Sequence, residues 1–203
     1  MTRQADPAAQ QTDPAAEQTE PAARETQPTA QQAQLVIRPA LAGDAAAMAD
    51  VFIRAWQQAY PDVVPDAVLR ALDHDQTARW LAELIARRTE GSTDVGERSG
   101  RVIGFIRYGT QPGEGQTGYV FGLYVDPGAA GQGVGRTLLR HAEQRLAEDG
   151  CDTVALHVFE ANERARRMYT RAGFRPDGST RIEPEYQATE VRLVKVLSSP
   201  AGS

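Results

Sequence analysis

Cysteine is all but missing from this chain: Cys151 is the single one in 203 residues. One thiol builds neither a disulfide framework nor a thiolate metal site, and its scarcity fits a reducing, cytoplasmic setting. Long apolar runs are missing too. No stretch approaches the roughly 18 apolar residues of a membrane span. The N-terminal segment has no apolar h-region, so neither a membrane partner nor a secretory signal is expected. A basic surplus is absent as well. The formal charge is −5, with 22 basic against 27 acidic residues, which argues against a nucleic-acid partner. Lys195 is the only lysine, a matter of genome composition. The histidines, His74, His141 and His157, share no metal-ligand spacing, so no metal is expected. What remains is 41% hydrophobic and 24% charged, ordinary for a globular protein.

Residues 1–33 stand apart. They hold no aromatic and no branched aliphatic side chain, and they repeat every seven residues: DPAAQQT, DPAAEQT, EPAARET, QPTAQQA. A heptad suggests a coiled coil, but each unit carries a proline, which costs about 3 kcal/mol inside a helix. With nothing to bury, the segment is expected to be a solvated, disordered or polyproline-like tail, with a partner-binding arm as the alternative. The globular domain is expected over 34–203.

There the pattern changes. Leu35 to Pro39 reads as a strand. Asp44 is placed to cap a helix reaching Gln58, and Pro65–Leu72 and Asp75–Arg88 read as two more helices. Thr93–Glu97 and Val102–Tyr108 form a predicted hairpin about Ser99-Gly100, followed by a polar loop over Gln111–Gly118. Tyr119–Val125 is almost wholly apolar, the mark of a central strand. A helix from Val134 to Glu148, a strand over Thr153–Val158 and a helix over Asn162–Ala172 closed by Gly173 follow. Phe174–Arg175 and Thr189–Val196 are expected to close the sheet. The order predicts an α/β (α+β) sandwich.

The most informative segment joins the central strand to the next helix: Gly128-Ala-Ala-Gly131-Gln132-Gly133-Val134-Gly135-Arg136-Thr137. Glycines there leave backbone N–H groups uncovered, and a helix N-terminus adds unpaired donors with partial positive charge. Together these suit a diphosphate. A P-loop needs Gly-Lys, which the chain lacks. A dinucleotide fingerprint needs a third glycine where Arg136 stands, and an acid at the end of the next strand, whereas Asp152 lies at its start. A second pattern follows. Asn162, Ala165, Arg166 and Tyr169 recur at i, i+3, i+4 and i+7 and share a helix face.

Val125-Asp126-Pro127 with Gly131-Gln132-Gly133-Val134-Gly135-Arg136 resembles the acetyl-CoA loop of the GNAT N-acetyltransferase superfamily. Leu156-x-Val158-x-x-x-Asn162-x-x-Ala165-x-x-x-Tyr169-x-x-x-Gly173-Phe174 is similar to that superfamily's following strand, helix and turn. The resemblance covers 35–197, and its specific part is 119–175. It implies a mixed, mostly antiparallel sheet flanked by helices, with two central strands splayed apart. It also implies acetyl-CoA as cosubstrate. The diphosphate is then expected at Gly131 to Thr137, and the pantetheine arm beside Leu123, Tyr124 and Val125 and near Asn162 and Ala165. One position departs from the pattern. Ala130 stands where the superfamily usually has Arg or Gln, and Ala130→Arg is expected to lower the CoA dissociation constant.

Acyl transfer to an amine needs a neutral amine, a stabilised oxyanion and a protonated leaving thiol. The resemblance gives Tyr169 the general-acid role. Its reference pKa of about 10 keeps it protonated beside a thiol of about 8.5. The oxyanion donor is implied to be a backbone N–H on Leu123–Val125. Deprotonating an alkylamine at pH 7 costs about 4.6 kcal/mol. Glu97, Glu114, Glu160, Glu183 and Glu185 are the carboxylates considered, with water as an intermediary, and no base is assigned. Trp56 and Tyr60, with Glu183, Glu185 and Tyr186, are expected at the acceptor side, where aromatic and acidic groups suit a cationic amine on a small molecule or protein. A homodimer is an expectation by analogy. Two other readings remain open here: a non-catalytic CoA-binding regulator or sensor, and a nucleotide-binding oxidoreductase.

Overall fold

A computed structural model of the chain describes residues 34–61, 63–87, 91–111, 113–184 and 186–197. The heptad segment and Glu185 lie outside the described residues.

The elements run β1 Val36–Pro39, α1 Ala45–Ala59, α2 Asp66–Arg70, α3 His74–Ala86, β2 Ser92–Arg98, β3 Arg101–Thr110, β4 Thr117–Val125, α4 Val134–Glu148, β5 Thr153–Phe159, α5 Glu163–Arg171, β6 Arg175–Glu183 and β7 Ala188–Val196. They form one sheet in the order β1-β2-β3-β4-β5-β7-β6. Every neighbouring pair is antiparallel except β4 with β5. The expected mixed, mostly antiparallel sheet flanked by helices is what the chain forms.

Side-chain alternation sorts two cores onto the two faces of the sheet. Met48, Val51 and Phe52 of α1 and Leu81 of α3 pack with Val95 and Phe105. Leu138, Leu139, Ala142 and Leu146 of α4, with Tyr169 of α5 and Phe174, pack with Ile106, Val120, Leu156, Val191 and Leu193. Gly118 is required by this packing, because a Cβ there would lie 2.8 Å from Leu146. No helix among the described residues is long and apolar enough to cross a membrane.

Three expectations need correction. Asp44 does not cap α1. Its carboxylate accepts from the Leu41 N–H and takes two bonds from Arg38, tying a short 3-10 turn to β1. The helix expected from Pro65 to Leu72 is only Asp66–Arg70. The strand expected at Phe174–Arg175 extends to Glu183. It is exposed along nearly its whole length and carries Pro176 and Gly178, so it lacks the apolar alternation that reveals a strand in sequence. Its pairing with β7 alone makes it a strand.

Candidate active site

The sheet forks at its centre. β4 and β5 pair only from Thr117–Thr153 to Val120–Leu156. Beyond that, β4 stays on β3, with Gly122, Leu123, Tyr124 and Val125 opposite Arg107, Ile106, Phe105 and Gly104. The β5-facing peptide groups of Phe121 to Val125 therefore have no strand partner. The cause is local. Arg107 faces Gly122 while Tyr108 faces Val120, so Phe121 is an extra residue, a bulge at the point of divergence. A bulge bends its strand and increases its twist. Leu123, Tyr124 and Val125, expected beside the pantetheine arm, all lie on this open stretch.

The glycine turn lies just past the fork. Gly131 and Gly133 hold φ of 79° and 81°, and Gly133 is the N-cap of α4. Neither needs close packing, since a Cβ would meet nothing within 4 Å; the left-handed backbone is what demands glycine. The N–H groups of Gly131, Gly133, Val134, Gly135 and Arg136 have no acceptor among the described residues. They form a concave array of donors at the positive end of a helix. The Arg136 side chain is exposed and has no ion pair among the described residues. Asp126 sets the turn. One oxygen accepts from the Gly128 N–H at 2.7 Å, and the other holds Arg54 of α1 at 2.6 Å. Two expected contacts are already engaged. The Gln132 amide bonds Arg98 and the Gly128 carbonyl, and the Thr137 hydroxyl donates to the Gly133 carbonyl.

On α5, Asn162 is the N-cap. Its Oδ1 accepts from the Ala165 N–H at 3.0 Å, and its Nδ2 approaches the Tyr60 hydroxyl at 3.4 Å. Tyr169 is only 7% exposed, and its ring meets Phe174 edge-on at 5.7 Å. Its hydroxyl has no hydrogen-bond partner among the described residues. Burial pushes the Tyr169 phenol far above the ordinary tyrosine value, and the neighbouring Tyr60 and Tyr124 oxygens push it further. Tyr60 and Tyr124 are raised as well, burial again leading. The Trp56 indole N–H tends to lower Tyr124, yet it is buried without a proper hydrogen bond. Three protonated phenols thus gather around the fork from α1, β4 and α5.

Trp56, Tyr60 and Tyr186, the residues expected on the acceptor side, lie close together. Trp56 lies 4.9 Å from Tyr60 and 5.5 Å from Tyr186, and Tyr60 lies 5.2 Å from Phe159. Glu183 ends β6 opposite Ala188. Among the other carboxylates considered, Glu97 is paired with Arg38 and Glu114 with Arg192. Two groups were not anticipated. His157 stands on β5 one residue past the last β4 pairing, and its Nδ1 is hydrogen-bonded to the Tyr119 hydroxyl. Burial and the nearby Arg181 hold His157 below the ordinary histidine value. Glu190 of β7, opposite Phe159 and bonded to Arg181, has a charge felt at Tyr60, Tyr124 and His157. Both are brought in by strand register, which no local motif announces.

A model of the acetyltransferase (GNAT) family matches residues 47–174. The chain belongs to the GNAT acetyltransferase family. It is 37% identical over 145 residues to a mycothiol acetyltransferase of Frankia alni, covering 62% of this chain and 43% of that protein. It is 35% identical over 158 residues to the mycothiol acetyltransferase of Frankia casuarinae, covering 68% and 46%. The chain thus spans less than half the length of these curated relatives. Among solved structures, PaiA N-acetyltransferase of Thermoplasma acidophilum in complex with coenzyme A shares the fold, with a TM-score of 0.69 at 18% identity over 80% of this chain and 99% of that one. So does YncA of Salmonella typhimurium with its cofactor acetyl-CoA, with a TM-score of 0.62 at 21% identity over 84% and 98%. GNAT enzymes use acetyl-CoA as donor, and the residues here fit it. Amides and an arginine without partners among the described residues suit the diphosphate, and an open strand edge suits an amide-bearing arm.

Proposed function

We propose that this protein transfers an acetyl group from acetyl-CoA to a primary amine on a small molecule, by direct attack in a ternary complex. The observation that carries this reading is the open β4 edge running into the donor array of Gly131 and Gly133–Arg136. When bound, acetyl-CoA supplies the acyl group as an activated thioester. The array and Arg136 hold the diphosphate, and the β5-facing groups of Leu123–Val125 hold the arm, one N–H serving as oxyanion donor. Tyr169 keeps its proton at every working pH and presents it to the leaving sulfur. On the acceptor side, His157, held neutral at pH 7, and Glu190 are the groups able to take the amine's proton, directly or through water.

The test is thermal stabilisation by CoA and acetyl-CoA, with NAD as control, followed by thiol release with an amine panel. Saturation at about 100 times the dissociation constant adds about 2.7 kcal/mol of stability. Stabilisation without thiol release would favour the regulator; preference for NAD would sink the acetyl-CoA assignment.

A further inference from the structure

A second feature of the fork lies on the α3 side of the sheet. A cavity of about 350 Å³ opens between α3 and the splayed part of β4. Trp80, Leu84, Phe105, Phe121 and Tyr124 supply its apolar walls. Trp80 is 44% exposed and Phe121 37% exposed, so two large aromatic residues are left half-covered around one opening. Tyr124 is fixed from behind by Phe52 and Phe105, each with its ring centre 4.9 Å away.

The cavity borders the fork. Phe121, Gly122 and Tyr124 line it and also belong to the open edge of β4. The Tyr124 ring lies over Gly122, where a Cβ would sit 2.7 Å from a ring carbon. Glycine at 122 thus leaves room for the ring against the β4 backbone. The polar part of the wall is already engaged, since Arg107 donates to the Leu84 carbonyl and to the Thr93 hydroxyl, both at 3.2 Å. No carboxylate occurs among the described lining residues.

We infer that this cavity holds the body of the acyl acceptor, and that the acceptor is a primary amine on an apolar, preferably aromatic, group. The inference rests on the acetyltransferase reading and deepens it. A volume of this size takes an aryl-ethyl group, and aromatic walls reward its burial. A second ammonium would find no carboxylate there, so polyamines and aminoglycosides are poor acceptors.

The experiment compares acetylation of 2-phenylethylamine, ethylamine and spermidine by the full chain. The kcat/KM for 2-phenylethylamine exceeds that for the other two by at least about tenfold. Leu84→Trp, which fills the cavity, lowers the ratio of 2-phenylethylamine to ethylamine by about tenfold, and Phe121→Ala lowers it in the same direction. CoA-induced thermal stabilisation confirms that each variant is folded. Equal use of the three amines, or a ratio untouched by both substitutions, overturns the cavity assignment. Failure to acetylate any amine overturns the acetyltransferase reading instead. In that case, calorimetric titration of 2-phenylethylamine into the CoA-loaded protein still decides the cavity: binding lost in Leu84→Trp supports it, and no binding refutes it.

Discussion

Tyr169 shows how a residue's role depends on what surrounds it. A phenol in water is a weak acid; this one is buried, without a hydrogen-bond partner among the described residues, beside two other phenols. Ionisation is therefore suppressed, and the group acts by offering a proton to a developing thiolate. Tyr169→Phe is expected to lower kcat by about a hundredfold or more, with the KM for acetyl-CoA nearly unchanged, as steady-state kinetics would show. Wild-type kcat would reveal that another phenol, Tyr60 or Tyr124, carries the proton. Tyr169 could be picked out because helical spacing and the Gly-Phe turn mark it. His157 and Glu190 could not. Their place at the fork comes from the register of β5 with β7, and their neighbours lie far away in sequence.

Among the elements, the β4–α4 connection is the most exacting. Its amides stay free because Gly131 and Gly133 turn the chain left-handed before the helix begins. Gly133→Val places a β-branched residue at that φ, at a cost of about 1–2 kcal/mol. The expected result is a lower melting temperature and CoA affinity reduced at least tenfold by calorimetry, while Gly133→Asn retains most of both. An unchanged CoA dissociation constant in the valine variant would mean that this turn does not hold the diphosphate. Arg54 and Asp126 brace the same turn against α1, a contact across 72 positions that the local motif does not contain. The fork itself follows from the Phe121 bulge, where an uninterrupted apolar strand in sequence conceals a change of register.

For the molecule as a whole, the half-buried His157 makes stability depend on pH. His157 has a folded-state pKa below its ordinary 6.5, so the unfolded chain binds that proton more readily. Its contribution is fully present above about pH 6.5 and is lost as pH falls through the lower folded value. The melting temperature of the wild type should therefore fall on acidification below pH 6.5. His157→Gln should fall less over the same window, which paired thermal melts would detect. Parallel curves would indicate that burial and Arg181 do not hold down protonation of the ring.

By itself the sequence determined the order of helices and strands, the glycine turn and the α5 face bearing Asn162 and Tyr169. Each of these is written in local periodicity, composition or fixed spacing. Tertiary structure alone decided how far β4 and β5 stay paired, how far β6 runs, which carboxylate and imidazole reach the fork, and that Trp80, Phe121 and Tyr124 enclose a cavity. These depend on register and on packing between distant elements, where a shift of one residue would turn every side chain of a strand to the opposite face.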